Sequence, residues 1–153
     1  MKAVIQRVTE ASVAVDGEIV GSCSHGLMIL LGVANGDSKE DARLLANKIC
    51  NLRIFSDEMG KMNLSVKNID GEALVISQFT LMANYKHGNR PDYLDSAPPA
   101  EAERLYEYFK ELMEAELRAV GCGIFGADMK VSLINDGPVT IVMDSEILKK
   151  KKA

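Results

Sequence analysis

Apolar and polar residues alternate along the first part of the chain, which is the pattern of a strand with one buried face. From Lys2 to Val15, aliphatic side chains recur among short polar ones, and Asp16-Gly17 then supplies a two-residue hairpin turn before Glu18-Ile19-Val20. The run from Gly26 to Val33 is almost wholly apolar, as expected for a central strand covered on both faces. These segments predict an opening meander that leads into a buried strand.

Two helices are predicted further along the chain. The first begins at Ser38, where Asp41 three residues later completes a capping box, and the second follows Pro98-Pro99 and continues to Val120, before Gly121 ends it. Each helix has an apolar stripe at helical spacing that we expect to pack on the sheet. The stripes are Ala42, Leu45, Ala46 and Ile49 in the first helix, and Ala102, Leu105, Phe109, Leu112 and Leu117 in the second.

Four more strands complete the prediction. They cover residues 52–55, 73–77, 130–134 and 139–143, and the segments 56–60 and 135–138 are expected to be loops or turns. The fold class that follows is α/β: a layered single domain with a mixed or antiparallel sheet and two main helices packed on one side. An exposed second sheet face would favour a homodimer. We expect the domain to span residues 1–148, with a basic tail at 149–153.

Composition narrows the location and the partners. With 153 residues, of which 47% are apolar, the chain has enough material for one core. No secretory signal or membrane-spanning segment is evident, and three widely separated cysteines argue against a disulfide framework, so we expect a cytoplasmic protein. The net charge of −4 would be −8 without Lys149 to Lys152, which means that any contact with RNA phosphates has to be local.

Few side chains suit conventional catalysis. His25 and His87 are the only histidines, and neither lies at metal-ligand spacing, so no metal site is expected. Cys122 lies between two glycines, and no charged neighbour in the sequence would lower the pKa of its thiol. No serine has the flanking glycines of a nucleophile elbow.

Three polar segments remain as candidates, each with an ordinary structural explanation. Ser77-Gln78-Phe79-Thr80-Leu81 brings hydroxyls and an amide to the end of an apolar strand, where α/β proteins place ligand-binding groups, or it is simply a polar strand end. Asn135-Asp136-Gly137-Pro138-Val139-Thr140 reads as a hairpin turn in which the peptide bond before proline can be cis. The basic loop 85–91 could contact phosphates or only be solvated.

Together, the Ser77 and Asn135 segments resemble the signature pair of the D-aminoacyl-tRNA deacylases. The opening segment 1–8, the loop 88–91 and the segment 126–131 resemble the same family in the same order, so the likeness extends to about Asp144. The segment 82–85 departs from it, since a more polar or aromatic start to the loop is expected there.

The resemblance implies a homodimeric hydrolase that cleaves the ester between a D-amino acid and tRNA, without a cofactor. The Gly137-Pro138 bond would be cis and inserted toward the partner's Ser77–Thr80 segment, Arg7 would hold that turn, and Phe125 would line the adenosine side. If two backbone carbonyls of the turn bind the substrate's α-amino group, an L side chain clashes with protein and a D side chain points to solvent. Achiral glycine would not be excluded, so glycyl-tRNA is expected to be a substrate too.

The chemistry of ester cleavage is open at this point. Thr80 could be a nucleophile, although no His or Lys is paired with it in sequence. Alternatively, the backbone N–H groups of Phe79 and Thr80 form an oxyanion hole, Gln78 positions substrate or water, and the ribose 2′-hydroxyl assists. Two rival functions also stay open: a non-catalytic tRNA-binding dimer that uses Lys86, Arg90 and the tail, and a small esterase that uses Cys122.

Overall fold

The computed structural model describes residues 1–149, so Lys150 to Ala153 of the predicted tail lie outside the described residues. Its longest strands are its first and its last, β1 (Lys2–Val15) and β8 (Lys130–Asp144), which pair antiparallel over almost their whole length. β8 pairs along one edge of β1. Along the other edge, the first half of β1 pairs with β3 (Gly26–Gly32) and its second half pairs with β2 (Glu18–Cys23).

Parallel pairs extend the sheet on the far side of β3. There, β6 (Glu72–Ser77) pairs with β3, and β7 (Val120–Cys122) pairs with β6. The order is therefore β2-β1-β3-β6-β7, with β8 beside β1. The sheet is mixed, as predicted, and the parallel strands β3 and β6 end at the same edge.

Two helices, α1 (Lys39–Asn51) and α2 (Pro99–Glu116), cover one face of the sheet and confirm the predicted layers. The capping box is present: the Ser38 backbone N–H donates to the Asp41 carboxylate at 2.9 Å. The helices also touch each other, since the Cys50 thiol lies 3.6 Å from the Met113 sulfur. Of the two predicted stripes, all members are buried except Leu112, which is half-buried against the same core.

Two predicted boundaries are wrong, and the predicted strands 130–134 and 139–143 are one continuous strand, β8, rather than two strands joined by a hairpin turn. The second helix ends at Glu116 rather than Val120, because residues 120–122 pair with β6 as strand β7. A Cβ at Gly121 would lie 2.5 Å from the Ser22 carbonyl oxygen, so this glycine allows the close packing of β7 against β2 and does not cap a helix. The predicted strand 52–55 is reduced to β4 (Phe55–Ser56), which pairs with β5 (Met62–Leu64) around the predicted loop 56–60.

The sheet has apolar clusters on both faces, which modifies the expected exposed second face. The larger cluster lies under the helices. The smaller one forms where the second half of β1 and the first half of β8 fold over β3 and β6. It consists of Val8, Ala11, Val13, Cys23, Met28, Leu74 and Ile76. What stays open on this face is the outer side of the β1–β8 pair, where Val4 faces Val142 and Val142 is 76% exposed.

Buried charges join the first residue to the last turn. The Met1 amine lies 2.9 Å from the Asp37 carboxylate and 3.0 Å from the Ser145 hydroxyl, which itself donates to Asp41 at 2.7 Å. Burial by itself would raise the pKa of Asp41, but the hydrogen bonds it accepts and the Lys149 ammonium 2.9 Å away lower it to about 2. No helix within residues 1–149 is long and apolar enough to cross a membrane.

Candidate active site

A pocket of about 580 Å³ opens at the carboxyl end of β6, where Ser77, Gln78 and Phe79 form one wall. Phe125 lines it as well, so four of the eight predicted site residues meet there. The opposite wall is the segment that leads into α2, and the remainder comes from β3 and α2. Those lining residues include Leu31, Val33, Asn35, Tyr93, Leu94, Ser96, Ala97, Pro98, Pro99, Ala102 and Tyr106.

The polypeptide turns sharply as it leaves β6. The Gln78 backbone N–H donates to the Leu31 carbonyl at 2.8 Å, which holds the last residues of β6 beside β3. A single 3₁₀ turn, Phe79–Met82, follows, and the first N–H groups of such a turn have no acceptor within it. The amides of Phe79 and Thr80 donate to no backbone carbonyl within residues 1–149. They are therefore free to bind a negatively charged oxygen.

Thr80 follows the pocket wall without lining the pocket. Its hydroxyl accepts a hydrogen bond from the Gln78 side-chain amide, so these two predicted residues interact directly. The ring of Phe79 is 57% exposed and meets the ring of Tyr93 edge-on, with centroids 5.0 Å apart. This aromatic pair forms part of the rim of the pocket.

Tyr106 of α2 lies at the inner end of the pocket. Its O–H donates to the Val75 carbonyl of β6 at 2.9 Å, and its ring packs 6.1 Å from that of Phe125. Burial, with a smaller contribution from Cys122, raises the pKa of the Tyr106 phenol above its ordinary value. The phenol thus stays neutral, and its proton is committed to a backbone carbonyl.

None of the residues that line the pocket is a histidine, a lysine or a carboxylate. The polar groups offered are hydroxyls, side-chain amides and backbone atoms, so a general base of ordinary pKa does not face the substrate space. Charged nucleophile–base pairs are equally absent from the lining. A reaction in this pocket has to depend on hydrogen-bond donors and on groups that the substrate brings.

Arg7 lies at the second predicted motif, which is a bulge within β8. Asn135 pairs with Val8 and Thr140 pairs with Gln6, so residues 136–139 have no pairing partner on β1 and project from the strand. Arg7 donates to the carbonyls of Asp136 at 3.0 Å and Ile54 at 2.7 Å, which fixes the projecting segment to the connection between α1 and β4.

The turn at the tip of this bulge has an unusual backbone. The Gly137-Pro138 bond is cis, Gly137 has φ +129°, and both residues are exposed. Asn135 closes its base, because its amide donates to the Arg7 carbonyl at 3.2 Å and to the Val139 carbonyl at 2.9 Å. Neither Gly137 nor Pro138 lines the pocket of its own chain. The eight predicted residues thus form two groups, one at the pocket with Thr80 beside it, and one at the turn.

Sequence reasoning missed several residues of this region. Tyr106 directly follows a predicted stripe residue and is a tyrosine in an otherwise apolar core position, which was the available signal. Asn135 was within a recognised motif but had no assigned role. Tyr93 and the segment up to Pro99 gave no local signal, because their place in the pocket depends on the packing of α2.

Other candidate centres are less suitable. A cavity of about 620 Å³ near Thr9, Ser24 and Glu72 contains none of the predicted residues and lies beside the smaller apolar cluster. Burial raises the pKa of the thiols of Cys23 and Cys50 to about 11, so both stay protonated at neutral pH. Cys122 is half-buried on β7, outside the pocket lining, with Lys110 3.9 Å away. Within residues 1–149, no three potential metal ligands converge.

Comparison with known proteins decides the family. A family model described as D-Tyr-tRNA(Tyr) deacylase matches residues 4–144. The chain belongs to this family. The resemblance inferred from the two motifs is thereby confirmed over nearly the whole chain, and the same range includes all eight predicted site residues.

Relatives of the deacylase family match along their full length. The D-aminoacyl-tRNA deacylase of Caldicellulosiruptor saccharolyticus is 56% identical over 146 residues, which is 95% of this chain and 98% of the relative. That of Ruegeria pomeroyi is 57% identical over 144 residues, covering 94% and 99%. Neither comparison leaves room for a large additional domain in those relatives.

Solved structures agree on the fold. A chain described as c-Myc DNA Unwinding Element Binding Protein superposes with a TM-score of 0.89 at 42% identity and covers 94% of this chain and 98% of its own. A probable eukaryotic D-amino acid tRNA deacylase superposes with a TM-score of 0.81 at 16% identity, covering 94% and 98%. The second likeness concerns the fold alone.

Proposed function

We propose that the protein is a D-aminoacyl-tRNA deacylase, a hydrolase that releases a D-amino acid and tRNA from wrongly charged tRNA. The observation that carries the proposal is the pocket formed by Ser77, Gln78 and Phe79 in a chain that matches the deacylase family over residues 4–144. Since aminoacyl-tRNA is used in the cytoplasm, we infer that location as well. The non-catalytic tRNA-binding alternative is not favoured, because the curated relatives described above carry the deacylase name.

The test compares D-tyrosyl-tRNA with L-tyrosyl-tRNA as substrates of the purified protein. We expect hydrolysis of the D ester at a rate at least about 100-fold above that of the L ester, because a steric clash of a whole side chain is worth several kcal/mol. Equal rates for the two esters would refute chiral selection. Binding of tRNA without any hydrolysis would instead favour the non-catalytic alternative.

A second copy of the chain is proposed to complete each site. Support comes from two features. The turn at Gly137-Pro138 projects from β8 without lining the pocket of its own chain, and Val142 and Val4 leave an apolar strip on the outer face of β1 and β8. Burying such a strip against its own copy is the usual basis of a two-fold dimer. The turn of one protomer would then reach the pocket of its partner.

Complementation tests this sharing directly. A variant with a defective turn, Gly137→Ala, is mixed with a variant with a defective pocket, Gln78→Ala, and the two are refolded together. If the turn serves the partner's pocket, half of the dimers are mixed and each has one intact site, so about a quarter of wild-type activity returns. If each turn serves its own chain, no activity returns.

Chirality is proposed to be selected by the backbone of the turn. The backbone carbonyls of the Gly137-Pro138 unit would bind the substrate's α-amino group, which orients the α-carbon so that only a D side chain avoids the protein. Arg7 and Asn135 support this unit from either side, because they donate to the Asp136 and Val139 carbonyls. The identity of the substrate's side chain would have little influence. Glycyl-tRNA should therefore be hydrolysed as well, and an enzyme that spares it completely would contradict the model.

For ester cleavage we favour the oxyanion hole over a threonine nucleophile. The free amides of Phe79 and Thr80 would stabilise the tetrahedral oxyanion. The hydrogen-bond partner of the Thr80 hydroxyl is the Gln78 side-chain amide, which donates to it and is not a base that could take its proton. The vicinal 2′-hydroxyl of the ribose would assist departure of the 3′-oxygen. Near-normal turnover of Thr80→Ala would exclude the nucleophile, and loss of activity on a 2′-deoxy substrate would support assistance by the RNA.

A further inference from the structure

The most basic exposed segment near the pocket is the hairpin Asn84–Asp92, which we call the basic hairpin. Between its end residues it contains Lys86, His87 and Arg90 and no carboxylate, in a chain whose net charge is −4. Neither Lys86 nor Arg90 forms an ion pair within the part of the chain that the structure describes. Their charges are thus available to an anionic partner, whereas most of the surface repels one.

The basic hairpin is held in place at its base. Asn84 and Asp92 exchange two backbone hydrogen bonds, at 2.8 and 2.9 Å. Their side chains add two local turns, because the Asn84 side chain accepts from the Lys86 N–H at 3.0 Å and the Asp92 carboxylate accepts from the Leu94 N–H at 3.2 Å. The base of the basic hairpin is therefore fixed, and Lys86 and Arg90 lie on its exposed tip.

Its position is at the rim of the pocket. Tyr93 and Leu94, which directly follow the basic hairpin, both line the pocket, and the Leu94 carbonyl accepts from the Asn35 side-chain amide at 2.7 Å. A nucleic acid strand whose terminal ribose occupies the pocket can leave past this rim. The phosphates that precede that ribose would then lie near Lys86 and Arg90.

Tyr85 adds a group that suits an unpaired base. Its side chain is 81% exposed at the start of the tip, although an exposed aromatic ring is unfavourable in water. A base stacked on such a ring is bound regardless of its identity, which is typical of single-strand recognition. Paired bases in a helix do not offer a free face of this kind.

We propose that the basic hairpin binds the single-stranded 3′ end of the tRNA, with Lys86 and Arg90 on its phosphates and Tyr85 stacked on an unpaired base. This inference rests on the proposed function, because the pocket is taken to hold the terminal ribose. The hairpin binds substrate and takes no part in ester cleavage. Its variants are therefore expected to change KM and tRNA affinity and to leave kcat unchanged.

The test uses the double variant Lys86→Ala/Arg90→Ala, with Lys48→Ala/Lys61→Ala at two exposed lysines as the control variant that loses the same two positive charges. Binding of uncharged tRNA is measured against salt concentration. We expect the slope of log Kd against log salt to fall by about 1.4 in the double variant, since each phosphate contact on single strands contributes about 0.7. The control variant Lys48→Ala/Lys61→Ala should keep the wild-type slope, and an unchanged slope in Lys86→Ala/Arg90→Ala overturns the proposal.

Two further measurements separate the hairpin from the catalytic site. On D-tyrosyl-tRNA the double variant should raise KM with kcat unchanged, whereas on D-tyrosyl-adenosine, which lacks these phosphates, it should match the wild type. Equal losses on both substrates would mean damage to the pocket and would overturn the proposal. If the wild type hydrolyses neither substrate, the proposed function is wrong. The salt dependence of tRNA binding would still test whether the basic hairpin binds tRNA.

Stacking by Tyr85 and recognition of the single-stranded 3′ end are tested separately. Tyr85→Ala should weaken tRNA binding by about 5- to 150-fold without changing the salt slope, and Tyr85→Phe should restore it, because stacking needs only the ring. A tRNA trimmed of its unpaired 3′ nucleotides should bind the wild type more weakly than intact tRNA does. The wild type and Tyr85→Ala should bind this trimmed tRNA with the same affinity. Equally tight binding of the trimmed and the intact tRNA would overturn the assignment to the 3′ end.

Discussion

Replacing Gly137 with alanine would put a methyl group where Arg7 already lies. A Cβ at this position comes within 2.8 Å of an Arg7 guanidinium nitrogen and 3.1 Å of a Val139 methyl. The guanidinium has little freedom to withdraw, because it is only 12% exposed and donates to the Ile54 and Asp136 carbonyls. The backbone adds a second obstacle, since φ +129° is a conformation that L-residues rarely adopt.

The loss of stability in Gly137→Ala has two contributions, the strained backbone and the contact of the new Cβ with the Arg7 guanidinium. Strain in a sparsely populated backbone region is about 1–3 kcal/mol. Weakening, without removing, one hydrogen bond of a charged group adds about 1–2 kcal/mol of the roughly 1.5–3 kcal/mol that such a bond contributes. A loss of about 2–5 kcal/mol of unfolding free energy is smaller than the 5–15 kcal/mol of a typical domain. Gly137→Ala should therefore fold, with Tm lowered by roughly 5–15 °C.

Activity should fall much further than stability. If the turn positions the α-amino group of the substrate, a displacement of about 1 Å lowers kcat/KM by roughly 100-fold. The assay is single-turnover hydrolysis of D-tyrosyl-tRNA at a temperature well below the Tm of the variant. Chiral preference should shrink as well, because the same carbonyls orient the substrate.

Gly60→Ala is the matched control. Gly60 also has a left-handed backbone, with φ +77°, but a Cβ there meets no atom within 4 Å, and the residue lies in the turn between β4 and β5. This variant should lose about 1–2 kcal/mol of stability and keep full activity. Should Gly137→Ala retain activity within threefold of Gly60→Ala, the turn does not position the substrate and the reasoning is wrong.

Three further predictions concern other parts of the molecule. Because the folded-state pKa of Asp41 is about 2 and its unfolded value about 3.8, its ionisation stabilises the fold by about 2 kcal/mol above pH 4, and this is lost as the pH falls toward 2. The difference in urea unfolding free energy between wild type and Asp41→Asn should shrink by that amount between pH 5 and pH 2, and a constant difference would contradict it. Asn135→Asp replaces an amide donor with a carboxylate that faces two carbonyls, so kcat/KM for D-tyrosyl-tRNA should fall about 10- to 100-fold. The far-ultraviolet circular dichroism spectrum should be unchanged. Wild-type activity of this variant would mean that Asn135 does not support the turn. Cys122→Ser should keep activity within threefold of the wild type, because the thiol lies outside the pocket lining. The activity of this variant should also be unaffected by thiol alkylation. Loss of activity caused by the substitution would support the esterase alternative.

Local patterns in the sequence predict the parts of the fold that local forces dictate. The stripe of α1 and its capping box at Ser38 appear as expected, because periodicity and capping depend only on neighbours along the chain. β7 was missed for the opposite reason. Val120 to Cys122 is a strand only because β6 lies beside it, and Gly121 fits there because of Ser22 on β2.

The candidate site divides in a similar way. The Ser77–Thr80 segment and the turn at Gly137-Pro138 were found as motifs, but only the structure shows that the turn does not line the pocket of its own chain. The wall from Tyr93 to Pro99 could not be predicted, since nothing in those residues specifies which strand end they will cover. Long-range packing sets both the position of the turn and the shape of the pocket.

A site of this kind is difficult to find by searching for reactive side chains, because the proposed work is done by the backbone. Amides at Phe79 and Thr80 would bind the oxyanion, and carbonyls of the Gly137 turn would bind the amino group. The side chains that matter then act one step away, since Arg7 and Asn135 hold the Asp136 and Val139 carbonyls on either side of the Gly137-Pro138 unit. It follows that substitutions at these supporting residues should alter chiral preference more than substitutions at Thr80, although Thr80 is the residue whose chemistry first suggests a catalyst.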